Sequence, residues 1–258
     1  FENEDVHLTV NAQPAILTVS TAAYRVLSSE RNIKPDFVAG HSLGEYSALV
    51  ASGSLDFEDA IWAVRKRGEY TQEAVPLGVG GMDAVLGLPD EQVNEICKEA
   101  SKNDSYVAPA NYNSIGQVVI SGVKHAVEKA SELAKKAGAR RVVSLDISAP
   151  FHSELMQSAV EKMKIVLDSI SFLDFKIPMV SNFNAKTLSD KDKIKNLLLD
   201  QLISPVLWHQ SISHLNKNLG VKTFLEVGPK NVLSGLIKRI VPDCEISNFG
   251  EKADLEKL

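Results

Sequence analysis

The chain has 258 residues, of which 44% are hydrophobic and 24% are charged, and its formal net charge is −5 at pH 7. This is the composition of a globular protein, and the acidic balance without any basic run argues against a nucleic-acid-binding protein. No stretch approaches the ~18 consecutive apolar residues that a membrane span requires. The two cysteines, Cys97 and Cys244, are isolated, which argues against a disulfide scaffold or a cysteine-rich metal site. They favour a reducing compartment, and we expect the cytoplasm, with a plastid or mitochondrion left open.

The first quarter of the chain is predicted to form a helix, a strand and two further helices. Apolar residues recur at helical spacing over residues 11–30. Phe37-Val38-Ala39 is a short apolar run typical of a buried strand, and the helix that follows it ends at Gly53. Another helix opens near Asp56 and runs towards Pro76.

The pattern changes at the glycine-rich segment 78–81, which resembles a hinge. Beyond it the sequence predicts, in order, a strand at 82–88, a helix at 90–101, a strand at 106–110, a turn at 111–116, a strand at 117–121, a helix at 124–137 and a strand at 141–147. This β-α-β-β-α-β order is the ferredoxin-like pattern. We therefore predict a small ferredoxin-like subdomain over residues 78–147, inserted into a larger unit formed by residues 1–77 and 148–258.

The chain then returns to alternating helices and short apolar strands. The predicted elements are a helix at 153–169, a strand at 177–181, helices at 191–203 and 208–219, a strand at 223–227 and a helix at 232–241. Such alternation is typical of an α/β fold with a mostly parallel sheet covered by helices on both faces. We predict an α/β-hydrolase-like large subdomain of this kind.

The segment Gly40-His41-Ser42-Leu43-Gly44 matches the G-x-S-x-G nucleophile elbow, and it lies between a strand and a helix as that motif requires. Glycines would permit a crowded turn that Cβ atoms block. The turn would expose the Ser42 hydroxyl and place the Leu43 N–H at a helix N-terminus, where it can stabilise an oxyanion. The alternative is a glycine-rich turn whose serine only caps the helix.

A serine nucleophile needs a base. The six histidines are His7, His41, His125, His152, His209 and His214. His152 is the strongest candidate, because Ser148-Ala149-Pro150-Phe151-His152-Ser153 connects a strand end to a helix start, where open α/β sheets bind ligands. A histidine that merely begins a helix is the alternative.

An arginine and two asparagines are further candidates for substrate binding. Arg67 lies at one edge of an apolar helix face and would pair with a carboxylate, although helical spacing alone does not distinguish it from Arg65 or from a surface arginine. Asn111 and Asn113 could contact an extended polar ligand or could simply form a turn. No Walker A, Rossmann or H-E-x-x-H motif is present, so we predict neither a cofactor nor a bound metal.

Taken together, these segments resemble the malonyl-CoA:acyl-carrier-protein transacylases and the related acyltransferase domains of polyketide synthases. The resemblance covers essentially the whole chain. The matching segments are Gly40–Leu49, Arg65-Lys66-Arg67-Gly68, Gln72–Pro76, Asn111–Ser114, Gln117–Gly122, Ala149–Ser153, Ser204–Trp208 and Glu226–Pro229.

The resemblance implies a role for each matched residue. Ser42 and His152 would be the catalytic pair, Arg67 would bind the free malonyl carboxylate, and the backbone carbonyl of Leu207 would orient the histidine. The other residues assigned to substrate binding are His41, Leu43, Phe151, Asn111 and Asn113. Phe151 would restrict space beside the α-carbon of the acyl group.

The implied function is ping-pong transfer of a malonyl group from coenzyme A to acyl carrier protein, for fatty acid synthesis, through a malonyl-serine ester. We expect a monomer. Two basic clusters could dock the acidic carrier: Lys230, Lys238 and Arg239, or Arg140 and Arg141. Both could instead be solvated helix ends.

The family's opening strand and its Gly-Gln-Gly segment, which supplies a second oxyanion donor, have no counterpart here, so we expect them upstream of Phe1. Two alternatives stay open at this point: a serine hydrolase or thioesterase, and a catalytically impaired acyltransferase-like binding module.

Overall fold

A computed structural model describes residues 8–102, 105–147 and 149–256. The first elements are α1 (Thr9–Arg31), β1 (Val38–Ala39), α2 (Gly44–Ala51) and α3 (Phe57–Glu73). The middle of the chain forms β2 (Gly80–Leu86), α4 (Asp90–Ala100), β3 (Val107–Ser114), β4 (Gln117–Val123), α5 (Lys124–Lys136) and β5 (Arg141–Ser144).

The last part of the chain has shorter elements. They are a 3-10 turn (Glu154–Met156), α6 (Gln157–Asp168), β6 (Met179–Val180), β7 (Thr187–Leu188), a second 3-10 turn (Lys191–Lys193), α7 (Ile194–Ile203), α8 (Trp208–Ser213), a π-helical turn (His214–Asn218), β8 (Thr223–Val227), α9 (Val232–Ile240), β9 (Glu245–Phe249) and a final 3-10 turn (Lys252–Glu256). The chain is thus an α/β protein. Among the described residues, no helix is both long enough and apolar enough to cross a membrane.

The strands of the large part do not join into one sheet among the described residues. β1 and β6 pair in parallel, and β7 joins β6 antiparallel, while β8 and β9 form a separate parallel pair. The predicted parallel pairing is therefore found in two short strand pairs, β1–β6 and β8–β9, which do not form one continuous sheet among the described residues. β7 and β9 have no counterpart in the prediction, because β7 is two residues long and β9 carries polar residues throughout most of its length.

The middle segment forms a four-stranded antiparallel sheet in the order β3-β4-β2-β5. Alternate residues face opposite sides of each strand, so the sheet has two distinct faces. One face packs against α4 and α5 through residues such as Val85, Val118 and Ile120. The other carries Met82, Ala84, Ala110 and Val119, and Phe151 packs against it. This second face therefore lies against the loop that holds His152.

The predicted turn at 111–116 is wrong in extent. β3 continues to Ser114, and the turn is reduced to Ile115 and Gly116. Asparagine favours turns, but here the strand accommodates polar residues through two irregularities in its register with β4. A second backbone contact also supports it, because Val206 N–H donates to Ala110 and Tyr112 N–H donates to Val206.

The main apolar core lies between α1, α2, α3, α6 and α7. Leu17, Tyr46, Leu49, Val64 and Met163 are completely buried there. Burial of each large apolar side chain stabilises the fold by about 1.5–3 kcal/mol. This core packs α2 and α3 against each other, which places Arg67 of α3 beside the turn that precedes α2.

Candidate active site

The turn between β1 and α2 holds Ser42 in a left-handed backbone conformation, with φ of +52°. Such a φ is uncommon outside glycine, and surrounding contacts must maintain it. Gly40 is required for the turn, since a Cβ at that position would lie 1.9 Å from the Gly44 carbonyl oxygen. Gly44 is not required in the same way: a Cβ there would meet no atom within 4 Å. The expectation that both glycines relieve crowding is therefore wrong for Gly44.

Ser42 and His152 meet at the centre of the site. Ser42 Oγ lies 2.8 Å from His152 Nε2, although 110 residues separate them in the chain. His152 is 4% exposed and also has a positive φ, of 57°. Its Nδ1 lies 2.8 Å from the backbone carbonyl oxygen of Gln201. Because a carbonyl only accepts, Nδ1 carries the proton and Nε2 is free to accept the Ser42 hydroxyl proton.

The assignment of Leu207 as the residue that orients His152 is therefore wrong. The Leu207 carbonyl accepts hydrogen bonds from the N–H and the hydroxyl of Ser211, four residues later in α8. Gln201 lies in the last turn of α7, where carbonyl groups lack helical partners. That position leaves its carbonyl available for the imidazole.

The surroundings of His152 keep it neutral. Burial, and then the nearby positive charge of Arg67, lower the pKa of His152 to about 3. The hydrogen bond to the Gln201 carbonyl opposes this shift without cancelling it. At neutral pH the imidazole is thus an unprotonated base in contact with a hydroxyl, as nucleophile activation requires.

Arg67, and not Arg65, points into the site. Arg67 is 2% exposed, whereas Arg65 lies on the surface and pairs with Glu69. The Arg67 Nη2 group donates to Ser42 Oγ at 3.0 Å and to Gln201 Oε1 at 3.1 Å. Its Nη1 donates to Gln13 Oε1 at 2.8 Å.

The acceptors around Arg67 are all neutral, and its Nε has no hydrogen-bond partner among the described residues. Burial lowers the pKa of Arg67, but an arginine remains charged at any physiological pH. A buried guanidinium with unused donors beside a nucleophile is suited to receive a carboxylate from a ligand.

The peptide of Ser42 is held at both ends. Its N–H donates to Asn182 Oδ1 at 2.6 Å, and its carbonyl accepts from Gln201 Nε2 at 2.9 Å. The Leu43 N–H lies immediately before α2 and makes no hydrogen bond to any residue the structure describes. It is thus available as one oxyanion donor next to the nucleophile.

The remaining candidates from the sequence lie around this centre. His41 Nε2 lies 2.7 Å from Asn113 Oδ1, and its ring packs at a tilt on Trp208 with centroids 5.5 Å apart. Burial lowers the pKa of His41. Asn111 is buried on β3 beside Val206, and the ring of Phe151 lies 6.5 Å from that of His152. The structure therefore brings the candidate residues to one region, in which Gln201 rather than Leu207 contacts His152.

The other histidines have different contacts. His125 hydrogen-bonds to Ser105, and His214 to Thr187. His209 lies near Asp90, which partly offsets the effect of burial in lowering its pKa. His7 is outside the described residues. No group of three or more potential metal ligands occurs within the described part of the chain.

Four residues of the site were not among the candidates from the sequence: Gln13, Glu45, Asn182 and Gln201. They contact Ser42 or Arg67, directly or through one another, from α1, α2, the loop after β6, and α7. Only Glu45 could have been found, because it directly follows the elbow motif. The others depend on contacts between residues 54 to 159 positions apart.

Comparison with known proteins agrees with this geometry. A family model described as the acyl transferase domain matches residues 2–248. The chain belongs to the acyl transferase family. The resemblance to malonyl transacylases stated from the sequence is confirmed, since curated relatives within the acyl transferase family carry that name.

Two such relatives are both called malonyl CoA-acyl carrier protein transacylase. The protein from Bacillus subtilis strain 168 is 50% identical over 237 residues, covering 92% of this chain and 74% of the relative. That from Staphylococcus aureus strain COL is 45% identical over 258 residues, covering 99% and 82%.

Solved structures of acyl transferases have the same fold. An acyl carrier protein S-malonyltransferase from Vibrio cholerae has a TM-score of 0.96 and 42% identity, covering 99% of this chain and 83% of that one. A malonyl-transacylase solved in complex with its type II PKS acyl-carrier protein has a TM-score of 0.95 and 41% identity, covering 98% and 82%.

Proposed function

We propose that this chain transfers a malonyl group from coenzyme A to the phosphopantetheine thiol of an acyl carrier protein. The observation that carries the proposal is the position of Ser42 Oγ, which lies 2.8 Å from an uncharged base, His152, and 3.0 Å from a buried cation, Arg67. A base beside the nucleophile supports acyl transfer, and a cation beside it supports an acyl group that carries its own carboxylate. The names of the relatives support the same substrates.

In the first half-reaction His152 Nε2 takes the Ser42 proton while Oγ attacks the thioester carbonyl carbon. The Leu43 N–H stabilises the oxyanion, and collapse of the tetrahedral intermediate breaks the carbon–sulfur bond. The proton on His152 passes to the departing thiolate, so coenzyme A leaves as a thiol. A malonyl ester of Ser42 remains.

The second half-reaction repeats these steps with the carrier thiol as nucleophile. His152 takes the thiol proton, sulfur attacks the ester carbonyl, and the proton returns to Ser42 Oγ as it leaves. Since the same site serves both thiols in turn, the kinetics are ping-pong.

Arg67 selects the acyl group in this mechanism. The free carboxylate of a malonyl group is one methylene away from the thioester carbonyl, so its binding partner must lie beside the nucleophile. The planar guanidinium can bind that carboxylate with two hydrogen bonds. An acetyl group would leave the buried donors unpaired, which is unfavourable.

We infer that the carrier docks on a basic edge of the inserted sheet. Gln117, Leu86 and Arg141 are direct neighbours across three strands, so their side chains share the sheet face that packs against Phe151. Arg239 of α9 donates to Gln117 Oε1 at 2.8 Å. Arg239 and Arg141, one from each basic cluster considered from the sequence, therefore lie at the same end of the sheet, which suits an acidic partner.

We also infer that residues 78–147 form an inserted ferredoxin-like subdomain. The four-stranded antiparallel order and the placement of both helices on one face support this boundary. The cytoplasmic location, the monomeric state and the lack of a cofactor stay predictions.

A labelling experiment tests the proposed function. The protein is incubated with malonyl-CoA, and the peptide containing Ser42 is examined by mass spectrometry before and after addition of carrier protein or of buffer alone. We expect a malonyl adduct that moves to the carrier and persists in buffer. Rapid loss in buffer would instead identify a hydrolase, no adduct a binding module, and Ser42→Ala should abolish labelling.

A further inference from the structure

Glu45 is a buried ionisable residue that the transfer steps above do not use. It lies in the first turn of α2, three residues after the nucleophile, and is 1% exposed. Its Oε1 accepts the backbone N–H of Asn182 at 2.6 Å, and its Oε2 accepts Gln201 Nε2 at 2.5 Å. Burying a carboxylate is costly, and hydrogen bonds from Asn182, Gln201 and Ser181 offset part of that cost.

Asn182 and Gln201, two of the residues that donate to Glu45, also hold the nucleophile through their side chains. The Asn182 side chain accepts the Ser42 N–H and, at its Nδ2, donates to the Gly40 carbonyl at 2.7 Å. The Gln201 side chain donates to the Ser42 carbonyl. Glu45 is thus one hydrogen bond away from each end of the strained Ser42 peptide.

The carboxylate and the Ser42 carbonyl together determine which way the Gln201 amide faces. Gln201 Nε2 has two hydrogens, and these are used by the Ser42 carbonyl and by Glu45 Oε2. Its oxygen is therefore turned to Arg67 Nη2, at 3.1 Å. The reverse orientation would direct an NH₂ group at the guanidinium and an oxygen at the Ser42 carbonyl and at Glu45, so it is unfavourable while Glu45 is ionised.

We propose that Glu45 is a positioning residue for the acyl group: its carboxylate orients the Gln201 amide, and that amide holds Arg67 where it meets the free carboxylate of the substrate. This rests on the proposed malonyl transfer. Arg67 and Glu45 make no direct ion pair among the described residues, so the effect passes through Gln201, with the long-range attraction of the two charges added.

Glu45→Gln is the variant that tests the proposal. Glutamine has nearly the same shape, but its NH₂ group would face a donor, either Asn182 N–H or Gln201 Nε2. If residue 45 is to keep its contacts with both the Asn182 N–H and the Gln201 side chain, the Gln201 amide must exchange the positions of its oxygen and nitrogen. Its oxygen would then no longer accept a hydrogen bond from Arg67. We expect the ratio of malonyl-CoA to acetyl-CoA kcat/KM for acyl-serine formation to fall about tenfold or more.

The ratio of the two kcat/KM values distinguishes a positioning role from a loss of folded enzyme. A smaller amount of active protein lowers the rates with malonyl-CoA and with acetyl-CoA equally and leaves their ratio unchanged. Glu69→Gln is the matched control: Glu69 is a carboxylate on α3 whose partners Arg65 and Lys66 lie on the surface. It should leave the ratio unchanged. In an Arg67→Ala background Glu45→Gln should not change the ratio further, since the two residues act in series.

Gln201→Met provides a second variant if Glu45→Gln does not fold. It removes the amide at similar length and should lower the ratio in the same way, again only when Arg67 is present. An unchanged ratio in either folded variant, or an equal fall with and without Arg67, would overturn the proposal. Failure of the wild-type protein to load malonyl groups would overturn the proposed function, and this inference with it.

Discussion

At the scale of single residues, the site is defined by what surrounds each ionisable group. His152 is neutral because burial and the charge of Arg67 both disfavour its protonated form. Burial also disfavours the charged form of Glu45, and it raises the pKa of that carboxyl to about 7. The hydrogen bonds from Asn182 and Gln201 favour the charged form and reduce this shift. Both groups sit within one hydrogen-bond network around Ser42.

The first prediction concerns Arg67. Arg67→Ala should lower kcat/KM for malonyl-CoA by about 10- to 150-fold relative to acetyl-CoA, since a hydrogen bond to a charged group contributes about 1.5–3 kcal/mol. Arg65→Ala, two positions away on the exposed side of α3, should leave the preference intact. The preference is measured by letting labelled malonyl-CoA and acetyl-CoA compete for acylation of Ser42. A malonyl preference that survives Arg67→Ala would assign the carboxylate to another group.

The second prediction follows from the lowered pKa of His152. The unfolded chain protonates this histidine near its ordinary pKa of about 6.5, whereas the folded protein does so only near pH 3. Between those values the unfolded state binds more protons, so His152 contributes stability that is complete above pH 6.5 and is lost as the pH falls towards 3.

His152→Gln should remove this contribution. Urea midpoints measured at pH 7 and pH 4.5 should therefore differ less in the variant than in the wild-type protein. His125→Gln is a suitable control, since His125 lies on an exposed surface. Equal acid sensitivity of the wild-type and His152→Gln proteins would contradict the buried neutral imidazole.

At the scale of elements, the β1–α2 turn determines where the nucleophile points. The close approach of residues 40 and 44 bends the chain so sharply that Ser42 takes a positive φ. The start of α2 then presents the N–H of its N-cap residue, Leu43, and the side chain of Glu45. One turn therefore supplies the nucleophile, an oxyanion donor and an anchor for the Gln201 amide.

The third prediction compares the two glycines of that turn. Gly40→Ala should destabilise the protein by about 3 kcal/mol or more, because its Cβ would collide with the Gly44 backbone, which cannot move without displacing α2. Gly44→Ala should be tolerated or slightly stabilising, since its Cβ meets open space and alanine favours helix. Denaturant unfolding of the pair measures the difference. Equal stabilities would show that the turn can relax.

At the scale of the whole molecule, the site lies where the inserted sheet meets the large part of the chain. Val206 pairs with β3, and the next residue, Leu207, donates its N–H to the Asn182 carbonyl. Phe151 packs against the inserted sheet one position before the base. The sheet therefore limits one side of the site and carries the proposed docking surface at its edge.

The fourth prediction concerns that surface. Arg141→Glu should lower the rate of transfer from malonyl-Ser42 to carrier protein about tenfold at low salt, with a smaller effect at high salt, because the contact is between exposed charges. Formation of the malonyl adduct should change much less. Lys98→Glu on α4, which packs against the opposite sheet face, is the control. Equal effects of the two variants would indicate that only net charge matters.

The sequence by itself was sufficient for the local features. Helical periodicity and glycine positions predict α1, α3, α4 and α5 closely, and the elbow motif identifies Ser42 through residues that are adjacent in the chain. The position of His152 between a strand end and a helix start favoured it over the other histidines, and resemblance to known segments then indicated Arg67, which helical spacing could not separate from Arg65.

Tertiary structure decided what lies between those residues. The carbonyl that orients His152 and the Asn182 and Gln201 contacts to Ser42 join groups more than 45 positions apart. The separation of the strands into short sheets was also decided by the fold. No local pattern records such contacts, because backbone carbonyls and neutral amides are chemically the same at every position. Only folding selects the carbonyl of Gln201 over that of Leu207 and turns its amide towards Glu45.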